Sequence, residues 1–171
     1  MATFGEISSN LVVGAGQSVR RNAQDSEFEA YTPSAGGAGL GYALTVTAAN
    51  LATTTDAQTI YFGSLAGVAP SSTAAISRIY IPKTGTIKVA QIVAHAATAG
   101  TGESWSLYVR LNNTTDTLIQ TVASTAAFRT WINTSLSIAV VAGDYIEIKS
   151  INPTWATNPA NVRFGGVIYI E

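Results

Sequence analysis

The sequence contains no cysteine and a single histidine. Without thiols there is no disulfide framework and no thiolate metal cluster, and one imidazole excludes paired-histidine metal motifs. Charge is scarce: nine Lys and Arg and ten Asp and Glu make up 11% of the chain, for a formal net charge of −1. An average soluble domain carries about 25%. So balanced a chain offers no basic field, and nucleic acid is not an expected partner. No run of about 18 apolar residues occurs, so membrane insertion is not expected either. Met1 to Asn10 has an acid at Glu6, no basic flank and no apolar centre, unlike a secretory signal. A role outside the cell would need another route, such as lysis. No stretch keeps a helical period.

What is present is apolar and small. Hydrophobic residues make up 47% of the chain, and the mean hydropathy is +0.24. With so little like charge to keep molecules apart, part of the surface is expected to be covered by copies of the chain or by a partner. The texture changes near residue 58. Residues 1–58 are rich in Gly, Ala, Ser and Thr, with short apolar runs at Leu11 to Val13 and Leu44 to Val46. They read as an extended arm or connector, since so little apolar surface makes a weak core. Edge strands added to the following domain are the plainer reading of the same runs. From residue 59 to 171, β-branched and aromatic runs recur every 8–12 residues between turn signals such as Pro82-Lys83-Thr84-Gly85, Asn112-Asn113, Gly143-Asp144 and Asn152-Pro153. The expected fold is all-β, an antiparallel two-sheet sandwich of jelly-roll type.

Alternation assigns faces. Trp105, Leu107, Val109 and Leu111 share an inward face, with Ser106, Tyr108 and Arg110 opposite. Ile146 and Ile148 point in, and Tyr145, Glu147 and Lys149 point out. Val162, Phe164, Gly166, Ile168 and Ile170 form another inward set. Ile87 to Ala97 is largely apolar on both faces, with Ile87, Val89, Gln91, Val93 and His95 on one and Lys88 and the smaller set Ala90, Ile92, Ala94 and Ala96 on the other. It reads either as a central strand or as a strand lining a subunit interface, with Ile92 and His95 as the interface candidates.

Two stretches carry a resemblance. Val141-Ala142-Gly143-Asp144-Tyr145-Ile146-Glu147-Ile148, with a later Phe164-Gly165-Gly166, is similar to the Gly-Asp turn and Gly-containing last strand of trimeric tumour-necrosis-factor and complement-type heads. Pro82 to Ile87, Leu111 to Asp116 and Pro153 to Pro159, preceded by Val13 to Asn22 and Phe28 to Pro33, resemble the C-terminal heads and connecting segments of tailed-phage fibres. That resemblance implies a virion protein made in the host cytoplasm without a signal peptide. It implies a homotrimeric knob that binds host-surface glycan or protein by multivalent contacts. The arm would then dock on other virion proteins, ordering as it binds. The chain lacks the long stalk of such fibres, which leaves a capsid decoration or head-fibre protein that clamps neighbouring capsid subunits as the alternative.

Recognition candidates follow from loop chemistry. Trp155 lies between Asn152, Thr154 and Asn158 in a loop braced by two prolines. Its indole suits stacking on a sugar while the polar neighbours serve hydroxyls, or else it caps the sandwich. Asn112 and Asn113 make a tight polar turn that is also a candidate tip. In the arm, Asp25, Glu27 and Glu29 share one face if extended. They could hold a hard cation but lack a calcium-loop pattern, so a solvated or inter-subunit acidic face is expected instead, one with which Arg20 and Arg21 could pair between neighbouring chains. No cofactor and no metal are expected. Catalysis is not expected, because His95 sits within an apolar strand and nothing brings two acids together. A glycan-degrading enzyme is the remote alternative.

Overall fold

A computed structural model describes residues 18–21, 28–31, 40–101, 103–123 and 127–171. It divides the chain into two compact units, Met1–Leu40 and Gly41–Glu171. In the first, β1 (Ser18–Arg21) and β2 (Phe28–Tyr31) pair antiparallel. Their register sets Arg20 opposite Glu29 and Arg21 opposite Phe28 within one chain. Leu11 to Val13, Asp25 and Glu27 lie outside the described residues.

The second unit begins 18 residues earlier than the texture change near residue 58 suggests. β3 (Tyr42–Thr47) and β4 (Leu51–Thr53) are paired with β13 (Ala160–Ile170), so this part of the expected arm belongs to the sandwich. The reason is local: Tyr42, Leu44 and Val46 alternate with Ala43, Thr45 and Thr47, and the first set packs on the core. The other strands are β5 (Thr59–Phe62), β6 (Ile79–Tyr80), β7 (Gly85–His95), β8 (Ser104–Leu111) and β9 (Thr115–Ala123). They continue with β10 (Phe128–Asn133), β11 (Ile138–Val140) and β12 (Tyr145–Ile151). A single turn of 3-10 helix, Ala74–Ile76, joins β5 to β6.

The strands form two antiparallel sheets. Sheet one runs β10-β7-β13-β3, with β11 continuing the β10 edge and β4 the β3 edge. Sheet two runs β5-β12-β8-β9, with β6 continuing the β5 edge. The chain changes sheet between β3 and β5, β5 and β7, β7 and β8, β9 and β10, β11 and β12, and β12 and β13. Eight principal strands in two four-lane sheets, connected in this way, make a jelly roll.

The core lies between the sheets. Ile87, Ile92, Trp105, Leu107, Trp131, Ile146, Ile148 and Ile168 are fully buried there. All three tryptophans meet: Trp105 takes Trp131 at 5.1 Å and Trp155 at 5.2 Å edge-on, and Phe164 at 5.7 Å. Edge-to-face pairs of this kind are the favoured aromatic geometry. Trp105 Nε1–H donates to Ser150 Oγ at 2.7 Å, and Trp131 Nε1–H to the Trp105 carbonyl at 2.9 Å.

β7 departs from simple alternation. Tyr169 faces Val89 while Ile170 faces Ile87, which leaves Lys88 as an extra residue. This bulge shifts the phase, so that Ile87 and then Ala90, Ile92 and Ala94 all point inward. The small-residue face is therefore the core face, not an outer one. Ile92 has 0% exposure inside its own subunit and cannot meet another. Its neighbour across β13 is Gly166, where a Cβ would strike the Gln91 carbonyl and the Ile92 Cα. The sheet closes here because that side chain is missing.

Candidate functional site

The antiparallel order gathers the loops at two ends of the sandwich. At one end lie Ile81 to Gly85, Asn112 to Thr114, Val141 to Asp144, the beginning of β3 and Glu171. Tyr42 hydroxyl donates to the Lys83 carbonyl there, and Thr86 and Glu171 exchange backbone hydrogen bonds. At the other end lie Thr54 to Asp56, Glu103 and Asn152 to Asn158. The two groups of recognition candidates therefore sit at opposite ends.

At the first end the Asn112 side chain is occupied. It donates to Asp144 Oδ1 at 2.9 Å and accepts from the Tyr145 N–H at 3.0 Å. Both Asn112 and Asn113 hold positive φ, 49° and 59°, a left-handed turn that asparagine tolerates. Asp144 Oδ2 accepts from the Val141 N–H at 2.8 Å. That bond, then the one from Asn112, holds the Asp144 carboxyl below its ordinary range. Gly143 stands at φ 94°, which completes the Gly-Asp turn. Asn113 is exposed; Asn112 is the joint between two turns.

At the second end Trp155 is only 6% exposed and its ring lies against Trp105. Asn152 is buried, donating to the Thr55 carbonyl and accepting from Ser150 Oγ. Neither presents a surface to a receptor, because the loop folds over the open end of the core. Asn158 donates to the Thr54 carbonyl at 2.9 Å and to Asp56 Oδ1 at 3.0 Å. Thr154 is exposed. His95 is exposed at the end of β7, beside Arg163 of β13.

The outer face of sheet two is a cluster that loop-based reasoning missed. Cross-strand pairs form rows: Tyr61–Lys149–Tyr108–Leu118, then Glu147–Arg110–Asp116, then Tyr80–Tyr145. Four of the seven tyrosines and five charged residues meet here. Lys149 Nζ and Arg110 Nη1 both pair with Asp116. Arg110 lies over the Tyr61 ring at 5.5 Å, and Lys149 over Tyr108 at 5.7 Å. Arg78, just before β6, lies over the Tyr145 ring at 4.1 Å, a distance at which cation–π attraction operates. The signal was in the alternation: Tyr145, Glu147 and Lys149 do leave the core, as do Tyr108 and Arg110.

Glu147 leaves the core yet is 0% exposed. Its carboxylate is 3.7 Å from Arg78 Nε, and neither of its oxygens accepts a hydrogen bond. Burial pushes its carboxyl above the ordinary range, against the opposing pull of Arg78 and Arg110. Beside Arg78 opens a shallow groove of about 570 Å³, lined by Ser64, Leu65, Val68, Ala75, Ile76 and Tyr80. Among the described residues, no group of three or more His, Asp or Glu is placed to hold a metal ion.

The sequence matches no family model and no curated protein. Among solved structures, the fold is similar to PRD1 vertex protein P5, with a TM-score of 0.50 at 16% identity, covering 99% of this chain and 95% of that one. A second likeness, to the structure of the infectious bursal disease virus Gx strain, has a TM-score of 0.39 at 11% identity. It covers 85% of this chain and 34% of that one. The likeness to the vertex protein is one of fold alone, the two-sheet sandwich described above.

Proposed function

We propose that this chain is a structural protein of a virus particle, with residues 41–171 forming a trimeric head that contacts the host surface. The observation that carries this reading is the likeness to a vertex protein over nearly the full length of both chains. The surface supports it. On the outer face of sheet one, Phe128, Ile132, Gln91, Val93, Val167 and Tyr169 form an uncharged patch bordered by the exposed Arg163, and Phe128 and Ile132 are well exposed. Such a face suits burial between copies, where charge is depleted. A larger group of charges, Arg78, Arg110, Asp116, Glu147 and Lys149, lies on the outer face of sheet two. Three heads in one assembly would turn weak single contacts into avid attachment.

The test is location and effect on intact particles. Antibodies raised against residues 41–171 are expected to label purified particles and to block their adsorption to host cells. Antibodies that bind the purified protein but leave particles unlabelled would overturn the reading.

A further inference from the structure

Resting on that reading, we propose that the groove between Leu65, Ile76, Arg78 and Tyr80 is the head's ligand site, and that it takes a carboxylated, N-acylated sugar. Three features of the groove set the ligand's chemistry. Its walls are apolar, with Leu65 and Ile76 both exposed, so the occupant presents an apolar group such as an acyl methyl. One ring, Tyr80, is 62% exposed at the wall; a pyranose lays its C–H face on such a surface. One charge borders it, the Arg78 guanidinium. Its planar fork matches a carboxylate in two parallel hydrogen bonds.

Arg78 is placed for this role by what lies behind it. Its guanidinium lies against the Tyr145 ring, and Tyr145 and Tyr80 lie 5.9 Å apart in a tilted pair. Its backbone carbonyl accepts from Ser64 Oγ at 3.1 Å, which ties the strand to the opposite wall. The carboxylate of Glu147 sits beneath, too far from Nε for a hydrogen bond. It steadies the cation without using up its fork. A neutral sugar lacks the partner that Arg78 requires, and a basic one meets repulsion. The groove's volume accommodates one or two sugar rings, so a single-site affinity is weak and attachment depends on several copies acting together.

The probe is N-acetylneuraminic acid, titrated into the full-length protein and followed by NMR shift perturbation, with N-acetylglucosamine as the neutral comparison. The acid is expected to shift Leu65, Ile76 and Tyr80 resonances, and the neutral sugar to leave them unmoved at the same concentration. Arg78→Gln is expected to weaken binding by at least about tenfold, the scale of one lost charge-assisted contact. Tyr80→Ala, a change at an exposed ring that the fold tolerates, is expected to do the same. Lys83→Gln, at a cation outside the groove, is expected to change nothing. No shift in the groove, or binding that survives both groove variants, overturns the site. If adsorption-blocking antibodies succeed while the sugar acid fails, the site falls and the attachment reading stands. If the antibodies label no particle while the sugar acid binds as described, the site stands and the attachment reading falls.

Discussion

Trp155 has the chemistry for either a sugar platform or a core cap, and its neighbours decide between them. Its ring meets Trp105 edge-on and almost none of it reaches solvent. Trp155→Ala is therefore expected to cost about 3–5 kcal/mol of stability, the range for a large buried aromatic. Urea denaturation measures this; a loss below about 1 kcal/mol would return Trp155 to the surface. Glu147 supplies a second residue-scale prediction. Its folded-state pKa lies above the unfolded value of 4.5. The folded state thus holds its proton more tightly, so the group's cost is present above the folded pKa. That cost is relieved as the pH falls towards 4.5. The stability difference between wild type and Glu147→Gln is expected to move in favour of wild type between pH 7 and 4.5. A difference that stays constant across that range would mean that the carboxyl is not perturbed.

At the scale of elements, period-2 patterning made most strands legible. β8, β12 and β13 bury the alternate residues that their sequences suggest. β3 was masked because its run of Tyr, Ala, Leu, Thr and Val sits among glycines and small polar residues. Its alternation marks it as a strand, but its pairing with β13 is a long-range event that the segment alone does not specify. β7 misled for another reason. A bulge at Lys88 is invisible to a strict alternation, and a strand buried on one face by alanines looks outward-facing when side-chain size alone is weighed. Of the candidate site, each component was readable, since the outward Tyr and charged positions follow from the same alternation. Their assembly was not, because the rows across β5, β12, β8 and β9 depend on strand order. Strand order comes from which apolar faces close together, and no single segment encodes it.

For the whole molecule, the division at Leu40 rather than near residue 58 changes which truncation is informative. Removing residues 1–40 is expected to leave a folded head, because β3 and β4 stay with the sheet they complete. Removing residues 1–58 takes the strand that covers one edge of β13 and is expected to unfold or aggregate the rest. Thermal denaturation distinguishes the two, and light scattering of the shorter deletion tests the trimer by giving three times the subunit mass. A monomer at micromolar concentration would put the uncharged patch around Phe128 and Ile132 on sheet one to some other use.

The head's first strand and its last residue finish side by side, with Tyr42 next to Ile170 and Glu171 bonded to Thr86. A short peptide bridge could splice those ends together, and new termini could be opened at the exposed Asn113 turn of the same region. The jelly roll would then keep every strand pair while its order in the gene is rewritten. By the same geometry, any cargo fused after Glu171 emerges far from Thr154 and Asn158, which leaves that tip clear on a displayed scaffold.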